Sequence, residues 1–323
     1  MMKFRKQIVF LFGCIELITY LSFHFSTKQD TPVGLVSTQQ GGPHVQVYLK
    51  DKDKTLLPLA ISINEELSEE EQIQLMFSYM SGKQKMEGFY PLFTKECVVK
   101  EVRIQEGIAH IYFDDSVKNY KKEDELRVLE AITWGATQFH DVEQVKLYIN
   151  GSAMEAMPLA NTPIPSILNR SIGINHFETS TSNLHTSKTL TVFTTKNIKG
   201  KNYMVPRSRR VSIEGDTLAY SVNAVLHDVS VSSELNQPLY AQDIKIKDYQ
   251  MNNGTLSLEL NKNILSSDTS VKQNIYDVLV LSLSMLDNVD KVEIKVDGNI
   301  VTPKDQEEKA VSKYELLYNE VSF

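Results

Sequence analysis

Two stretches of this sequence repeat one pattern of apolar residues and turns at a constant spacing. The turn residues Gly107 and Gly254 differ in number by 147, and so do the segments DVEQVKLYINGS (141–152) and NVDKVEIKVDGN (288–299). Solenoid repeats have units of roughly 20–50 residues, so this longer spacing indicates a duplicated domain. A chain of 323 residues is long enough to bury two such cores.

The first copy, residues 44–152, has the pattern of a mixed α and β domain. HVQVYLKD alternates apolar and polar residues, which predicts a strand. In the next extended segment Pro58 favours an edge position, because proline has no N–H to donate. Ser68 and Glu71 have the spacing of a capping box and predict the start of a helix, with Ile73, Phe77 and Met80 on its inner face. The further predicted elements are a hairpin over 97–104 and 108–113, a longer helix over 122–140 and a strand over 142–149.

The second copy, residues 189–301, repeats this order. Pro206 stands where Pro58 stands in the first copy, and Asn253-Gly254 is a strong hairpin signal. Apolar stripes predict its helices, with Leu218, Val222, Val225 and Leu226 on the first and Ile275, Leu279, Leu283 and Leu286 on the second. The predicted fold class is α+β, with two tandem copies of a small ββαββαβ domain.

Residues 1–25 form an export signal or anchor, because basic residues precede an apolar run. Three interpretations stay open. As an uncleaved anchor helix, the run is near the lower length limit and Glu16 is costly within it. As a cleaved signal peptide, it has no small-residue cleavage site. As a lipoprotein signal, Leu-Phe-Gly-Cys ends in Cys14 as a degenerate lipobox. All three place the rest of the chain outside the cytoplasm, on a polar tether over 26–43.

Two further segments flank the second copy. The linker, 153–188, holds three prolines in a first half that is apolar enough to dock on a domain, and its second half is rich in Ser and Thr and predicted to be mobile. The tail, 302–323, is expected to form a short helix on the second domain.

Composition and spacing argue against several classes of function. The net charge of -7 disfavours general nucleic-acid binding, which needs a basic face. Asp114 and Asp115 are adjacent carboxylates, but the second copy has Asn261 and Lys262 there, which favours a capping role over a catalytic pair. Cys97 has no evident disulfide partner. The histidines are scattered outside metal-binding spacing, at His24, His44, His110, His140, His176, His185 and His227. No catalytic, cofactor-binding or metal-ligating residue is predicted.

One basic cluster stands out. Arg207, Arg209 and Arg210, with Lys199 and Lys201 nearby, have the composition to meet an anionic lipid or wall polymer. The favoured interpretation is an edge strand whose charges block pairing with another strand.

The duplicated pattern resembles the GerMN domain family. The resemblance rests on a V-x-V-Y strand at 45–48, an L-x-P element at 56–58, a hairpin over 102–113 and V-x-x-V-x-L-x-I-N-G at 142–151, with TVF and MVP echoing the first two in the second copy. It implies a non-catalytic domain, similar in fold to the ring-building motif domains of envelope-spanning machines. The family's tandem lipoprotein is implicated in the channel between mother cell and forespore.

We therefore expect a non-enzymatic interaction or assembly module of a bacterial membrane complex. Its expected partners are proteins of that complex, and further copies of the same chain are an additional option. The alternative is a module that binds a wall polymer or a small ligand, which needs clustered aromatic side chains or a polar pocket. The tyrosines Tyr112, Tyr148, Tyr220 and Tyr240 are not grouped in the sequence, which counts against it. Trp134 is expected in a core or a domain interface.

Overall fold

The computed structural model describes residues 43–63, 66–177, 187–212, 217–231, 243–304 and 306–321. The predicted signal or anchor segment, the tether as far as residue 42 and the linker residues 178–186 lie outside these ranges. Within them, no helix has both the length and the apolar character needed to cross a membrane.

The first copy contains two helices and two separate sheets. Its elements are β1 (His44–Lys50), β2 (Leu56–Ser62), α1 (Glu69–Met80), β3 (Val99–Gln105), β4 (Ile108–Phe113), α2 (Glu125–Ala136), β5 (Gln144–Ile149) and β6 (Ser152–Ala153). Strands β1 and β2 form an antiparallel hairpin. Strands β3 to β6 form the other sheet in that order, with β4 parallel to β5.

The second copy has the same arrangement. Its elements are β7 (Ser187–Ile198), β8 (Lys201–Ser212), α3 (Thr217–Val231), β9 (Ile246–Asn252), β10 (Thr255–Leu260), α4 (Gln273–Leu283), β11 (Lys291–Val296) and β12 (Asn299–Ile300). Strands β7 and β8 pair as a long hairpin, and β10 is parallel to β11 in the other sheet. The predicted α+β class is confirmed.

Helix α1 begins where its capping box predicts. The Ser68 hydroxyl accepts a hydrogen bond from the Glu71 N–H (3.2 Å), and the Glu71 carboxylate accepts one from the Ser68 N–H (2.9 Å). These bonds satisfy two of the donors that a helix start leaves open. Ile73, Phe77 and Met80, the predicted inner face, are buried.

Helix α2 is shorter than the predicted 122–140. Lys122–Asp124 form a separate 3-10 turn, and the helix ends at Ala136. Gln138 explains the early end, because its side-chain amide donates to the Gly135 carbonyl (2.6 Å) and to the Gln46 carbonyl of β1 (3.0 Å). The residue that would extend the helix instead caps it and joins it to the first hairpin.

The first half of the linker docks on the first copy, as expected from its apolar residues. Met157, Leu168 and Ile174 belong to the first core. Glu125, at the start of α2, fastens this segment: its carboxylate accepts hydrogen bonds from the Tyr120 hydroxyl (2.6 Å) and from the backbone N–H groups of Leu159, Ala160 and Thr162 (2.7, 2.7 and 2.9 Å). Burial acts to raise the pKa of Glu125, but these hydrogen bonds outweigh it and lower the pKa to about 2.

Glu125→Gln tests this fastening. The amide keeps the shape but removes the charge and turns an NH2 group toward N–H donors, so we expect a loss of about 2–4 kcal/mol at pH 7 in urea unfolding. A carboxyl with a lowered folded pKa contributes stability above its usual pKa of 4.5, and that contribution is lost as the pH falls toward 2. The gap to the wild type should therefore narrow below about pH 4. Glu123→Gln, at an exposed neighbour, is the control, and equal stability of Glu125→Gln and this control contradicts the assignment.

The C-terminal tail crosses to the first copy instead of forming the expected helix. Its described residues, 302–304 and 306–321, have a single three-residue 3-10 turn, Lys313–Glu315, and two short strands, β13 (Val311–Ser312) and β14 (Glu320–Val321). Strand β13 pairs with β11, whereas β14 pairs in parallel with β2 of the first copy. Three consecutive residues, Leu316, Leu317 and Tyr318, are buried. An exposed amphipathic helix would bury such residues only at intervals of three or four positions.

Asn175 bridges the two copies at one point of their junction. Its side-chain NH2 donates to the carbonyl of Leu56 in β2 (2.8 Å) and to the carbonyl of Pro206 in β8 (2.9 Å), while its Oδ1 accepts from the Leu56 N–H (2.8 Å). The amide thus takes the place of a strand between the facing edges of β2 and β8.

Asn319, immediately before β14, makes the corresponding bridge two residues along each strand. Its NH2 donates to the carbonyls of Pro58 and Met204 (both 2.7 Å), and its Oδ1 accepts from the Met204 N–H (2.6 Å). Its backbone carbonyl accepts from the Ala60 N–H (3.1 Å). All three segments therefore meet at one asparagine.

The tail also changes the position expected for Pro58. Strand β14 makes β2 the middle strand of three, so the predicted edge position is wrong. Because β14 pairs only with Ala60 and Ile61, the missing N–H of the proline interrupts no hydrogen bond of that ladder. Pro206 does lie at the edge of its sheet, since β8 pairs with β7 alone.

Side chains of the junction extend each core into the other copy. Tyr203 and Val205 of β8 pack into the first core, whereas Met204 between them packs into the second. Trp134, expected in a core or an interface, is buried, and its indole N–H donates to the Gly173 carbonyl (2.9 Å). The two copies consequently share apolar contacts as well as hydrogen bonds.

Asn319→Ala tests the junction. The change leaves the Met204 N–H and two carbonyl groups without their partner in a buried place, so we expect a loss of about 2–4 kcal/mol. Urea unfolding followed by fluorescence measures it, with Asn299→Ala at an exposed position of the short strand β12 as the control. An unfolding midpoint equal to that of the control contradicts the bridging role.

Candidate functional site

The adjacent carboxylates Asp114 and Asp115 have structural partners. Asp114 caps a 3-10 turn by accepting from the Ser116 N–H (2.9 Å), and it pairs with Lys100 (2.9 Å). Asp115 pairs with Lys118 (2.6 Å). Hydrogen bonds from Ser116 and Lys100 lower the pKa of Asp114 to about 2. A carboxyl that is always ionised near neutral pH is a poor general acid, which fits the capping role favoured by the sequence.

Metal ligands and a reactive thiol are likewise not assembled in the part of the chain that the structure describes. Within it, no group of three or more His, Cys, Asp or Glu side chains is placed to hold a metal ion. Cys97 is buried, and burial, with a smaller effect of the Asp114 charge, raises the pKa of its thiol to about 12. The nucleophilic thiolate is therefore scarce near neutral pH.

The basic cluster predicted around Arg207 is divided among different partners. Arg207 lies over the Phe177 ring (5.1 Å), Arg210 donates to the Ser187 hydroxyl (3.2 Å), Lys199 pairs with Glu87 (2.6 Å) and Lys201 donates to the Glu320 carbonyl (2.7 Å). Along 204–208 the edge of β8 that does not pair with β7 is covered by the linker and the tail, through Ile174, Asn175 and Asn319.

A polar cleft lies at the junction of the two copies, and we call it the junction cleft. Its volume is about 380 Å³, and its charged walls come from both copies, with Asp53, Lys54, Glu123 and Arg127 from the first and Lys196 and Arg207 from the second. Lys196 reaches across to Asp51 (2.6 Å) and Asp53 (3.1 Å). These ion pairs fix one end of the cleft.

Glu130 of α2 lies within the junction cleft and is 2% exposed. Its carboxylate receives a long hydrogen bond from the Asn175 N–H (3.4 Å) and lies 3.6 Å from the His176 Nε2. Burial raises the pKa of Glu130 to about 7, against smaller lowering effects of the Asn175 hydrogen bond and the Arg127 charge. The carboxyl thus changes its charge within the physiological pH range.

Glu130 was not among the residues expected to be functional, although the repeat carries a signal for it. Asp277 of α4 is the position 147 residues later, and it too is buried. A carboxyl on the buried face of the same helix in both copies departs from the usual exposure of acidic residues.

The surroundings of Glu130 do not form a catalytic pair. A general base needs a nucleophile or substrate proton within hydrogen-bond reach. His176 directs the same Nε2 to the Ile172 carbonyl (2.8 Å), and the Thr55 hydroxyl accepts from Lys196 (3.0 Å). Within the described residues, the cleft therefore presents a titrating acid without a paired nucleophile.

Glu130→Gln tests the buried acid through pH. A carboxyl with a folded pKa of about 7 favours folding below its unfolded pKa of 4.5, and this stability is lost as the pH rises through 7. The glutamine amide has no charge to bury at high pH. The variant should therefore be about 1–3 kcal/mol more stable than the wild type at pH 8 and nearly equal in stability at pH 5. Urea unfolding across this range measures it, with Glu123→Gln on the cleft wall as the control. A variant less stable than the wild type at pH 8 contradicts the assignment.

The outer face of the first copy's second sheet groups two of the four tyrosines. The rings of Tyr112 and Tyr148 are parallel within 16°, with centroids 4.4 Å apart. The expectation that the tyrosines are ungrouped is therefore wrong for this pair, because residues 36 positions apart become neighbours on the parallel strands β4 and β5. Tyr220 lies on α3, and Tyr240 is outside the described residues.

Fold and side chains together define the class: a tandem pair of like α+β domains joined through a polar junction. The chain belongs to the Germane family, described as "Sporulation and spore germination", which matches residues 46–155 and 191–302. The resemblance to GerMN domains is thereby confirmed.

The sequence of one relative and a solved structure of its domains give the extent of the similarity. The chain is 32% identical over 160 residues to the spore germination protein GerM of Bacillus subtilis (strain 168). This alignment covers 49% of this chain and 43% of that protein. It thus matches less than half the length of that relative. The solved tandem GerMN domains of the sporulation protein GerM from Bacillus subtilis superpose with a TM-score of 0.74 at 26% identity, over 85% of this chain and 99% of that structure.

Proposed function

We propose that this chain is a non-enzymatic interaction module that helps to assemble a bacterial envelope complex during sporulation. The similarity to GerM supports the sporulation role. The observation that carries the assembly role is the junction, in which Asn175, Asn319 and strand β14 join two domains of like fold through backbone groups. Two linked domains present separate surfaces to separate partners, which is what a scaffold requires.

In this proposal, the N-terminal residues 1–25 determine where the protein is located. The basic and apolar residues of 1–25 direct the body of the chain out of the cytoplasm and hold it at the membrane through a helix or a lipid at Cys14. The partners are proteins of the same envelope complex, and further copies of this chain are included among them.

Exposed apolar residues give the places at which to look for partners. Tyr90, Ile167, Tyr220 and Tyr314 are 51%, 56%, 37% and 43% exposed. Large apolar side chains are enriched at the centres of protein interfaces.

Site-specific photocrosslinking tests the assembly role. A photoreactive amino acid replaces each of these four residues, one at a time, in full-length protein expressed in sporulating cells. We expect a discrete adduct with an envelope protein from at least one position. The corresponding glutamate variant at that position should lower spore yield while protein abundance stays unchanged. Absence of a protein adduct at all four positions contradicts the proposal.

A second variant separates assembly from catalysis. Glu130→Gln removes the titrating acid of the junction cleft, and an assembly module should keep its spore yield and adducts after this change. Loss of spore formation with unchanged abundance and unchanged adducts contradicts the non-enzymatic assignment.

A further inference from the structure

Nine residues of three adjacent strands point away from the first core, and we call them the first outer face. They form rows of three across the sheet, Glu101–Tyr112–Tyr148, Arg103–His110–Lys146 and Gln105–Ile108–Gln144. All nine are at least partly exposed, whereas most of the alternate residues of the same strands, Ile111 and Leu147 among them, are buried.

The aromatic side chains of the first outer face are held in one geometry. Tyr112 stacks on Tyr148, and the Arg103 guanidinium lies 5.3 Å from the Tyr112 ring centroid. Glu101 fixes the guanidinium through two hydrogen bonds (2.6 and 2.7 Å), and the His110 Nδ1 lies 3.0 Å from the Tyr148 hydroxyl. A ligand that uses these groups meets a face that is already ordered.

The second copy shows that the fold does not need this cluster. Its outer face has the same rows at positions 147 residues later, and these are Asp248–Glu259–Lys295, Gln250–Ser257–Glu293 and Asn252–Thr255–Lys291. Both tyrosines, the arginine and the histidine are replaced by polar or charged residues on the same scaffold. Since folding does not require the aromatic and basic residues, we attribute them to binding.

One side of the Tyr148 ring faces a small residue. On the side of strand β4, Tyr148 has Tyr112 and His110 as neighbours. On the side of strand β6, its cross-strand partner is Ala153, an exposed residue with only a methyl side chain. Lys146, in the next row, is exposed, and no carboxylate among the described residues forms an ion pair with it. An aromatic ring face and an unpaired ammonium group are therefore adjacent.

The size of the first outer face decides the kind of ligand. Three strands spaced about 4.8 Å apart and five residues at about 3.3 Å each cover roughly 200–250 Å². A stable protein interface buries about 800 Å² from each partner, so these nine residues would supply only a part of one. A narrow linear polymer fits this area.

We propose that the first outer face binds an acidic polysaccharide. The apolar C–H face of a sugar ring packs on the Tyr148 ring above Ala153, because an aromatic face is negative and the sugar C–H groups are weakly positive. A carboxylate on the sugars pairs with the ammonium group of Lys146, which has no carboxylate partner among the described residues. This binding goes beyond the assembly role and does not depend on it.

Exchange of residues between the two copies tests the proposal. The full-length chain in detergent is titrated with polygalacturonate oligomers, which carry carboxylates, by isothermal titration calorimetry. Tyr112→Glu with Tyr148→Lys puts the second copy's residues on the first outer face, and we expect binding at least about tenfold weaker. Glu259→Tyr with Lys295→Tyr is the matched control and should leave the affinity unchanged or higher. Thermal unfolding of each variant verifies that it folds.

Two further titrations identify the chemistry. Lys146→Glu should weaken the binding of the acidic oligomer and leave the binding of a neutral N-acetylglucosamine hexamer unchanged. The proposal is overturned if the tyrosine variant binds polygalacturonate as tightly as the wild type does. It is also overturned if the neutral hexamer binds the wild type as tightly as the acidic oligomer, or if poly-L-glutamate does so without needing the tyrosines. Because neither sugar is a partner in the crosslinking experiment, failure here leaves the assembly proposal intact.

Discussion

The arrangement of this protein depends on how two strand edges are satisfied without pairing directly. Strands β2 and β8 both carry a proline where they face each other, so a continuous ladder is not available to them. Asn175 and Asn319 supply an amide donor and acceptor to each edge in place of a strand. A side-chain amide has two N–H groups and a carbonyl, which is what two facing backbones at this separation require. Unsatisfied backbone groups would be costly in this buried place, so the two asparagines hold the copies together.

The junction also creates the environment of Glu130. Asn175 donates to the carboxylate of Glu130 through its backbone while its side chain bridges the strands. The same few residues therefore determine both how the copies are joined and how deeply the acid is buried. The polar groups nearest to the Glu130 carboxylate, the Asn175 N–H and the His176 ring, belong to the segment that bridges the copies. We therefore expect the pH dependence of folding to be coupled to the junction.

Sequence patterns predicted those parts of the fold that local chemistry determines. The capping box at Ser68 and the apolar stripe of α1 depend on residues within a few positions, and both are found. The end of α2 was not predictable, because Gln138 stops the helix by bonding to β1, 92 residues away in sequence. The path of the tail was likewise hidden, since Asn319 and strand β14 bond to β2, a strand more than 250 residues earlier. The family resemblance, which rests on core and turn residues, predicted the type of domain but not the residues of any binding surface.

The duplication separates residues that fold from residues that bind. Inner faces of the two second sheets keep the same character, with Ile111 and Leu147 corresponding to the buried Leu258 and Ile294. Outer faces in the same register have lost all aromatic resemblance, and Tyr112 and Tyr148 correspond to Glu259 and Lys295. Packing against the helices constrains the inner positions through volume, whereas solvent places no such demand on the outer ones. A half-exposed aromatic stack beside the unpaired ammonium group of Lys146 adds little to folding, so we attribute its presence on one copy alone to a ligand of that copy.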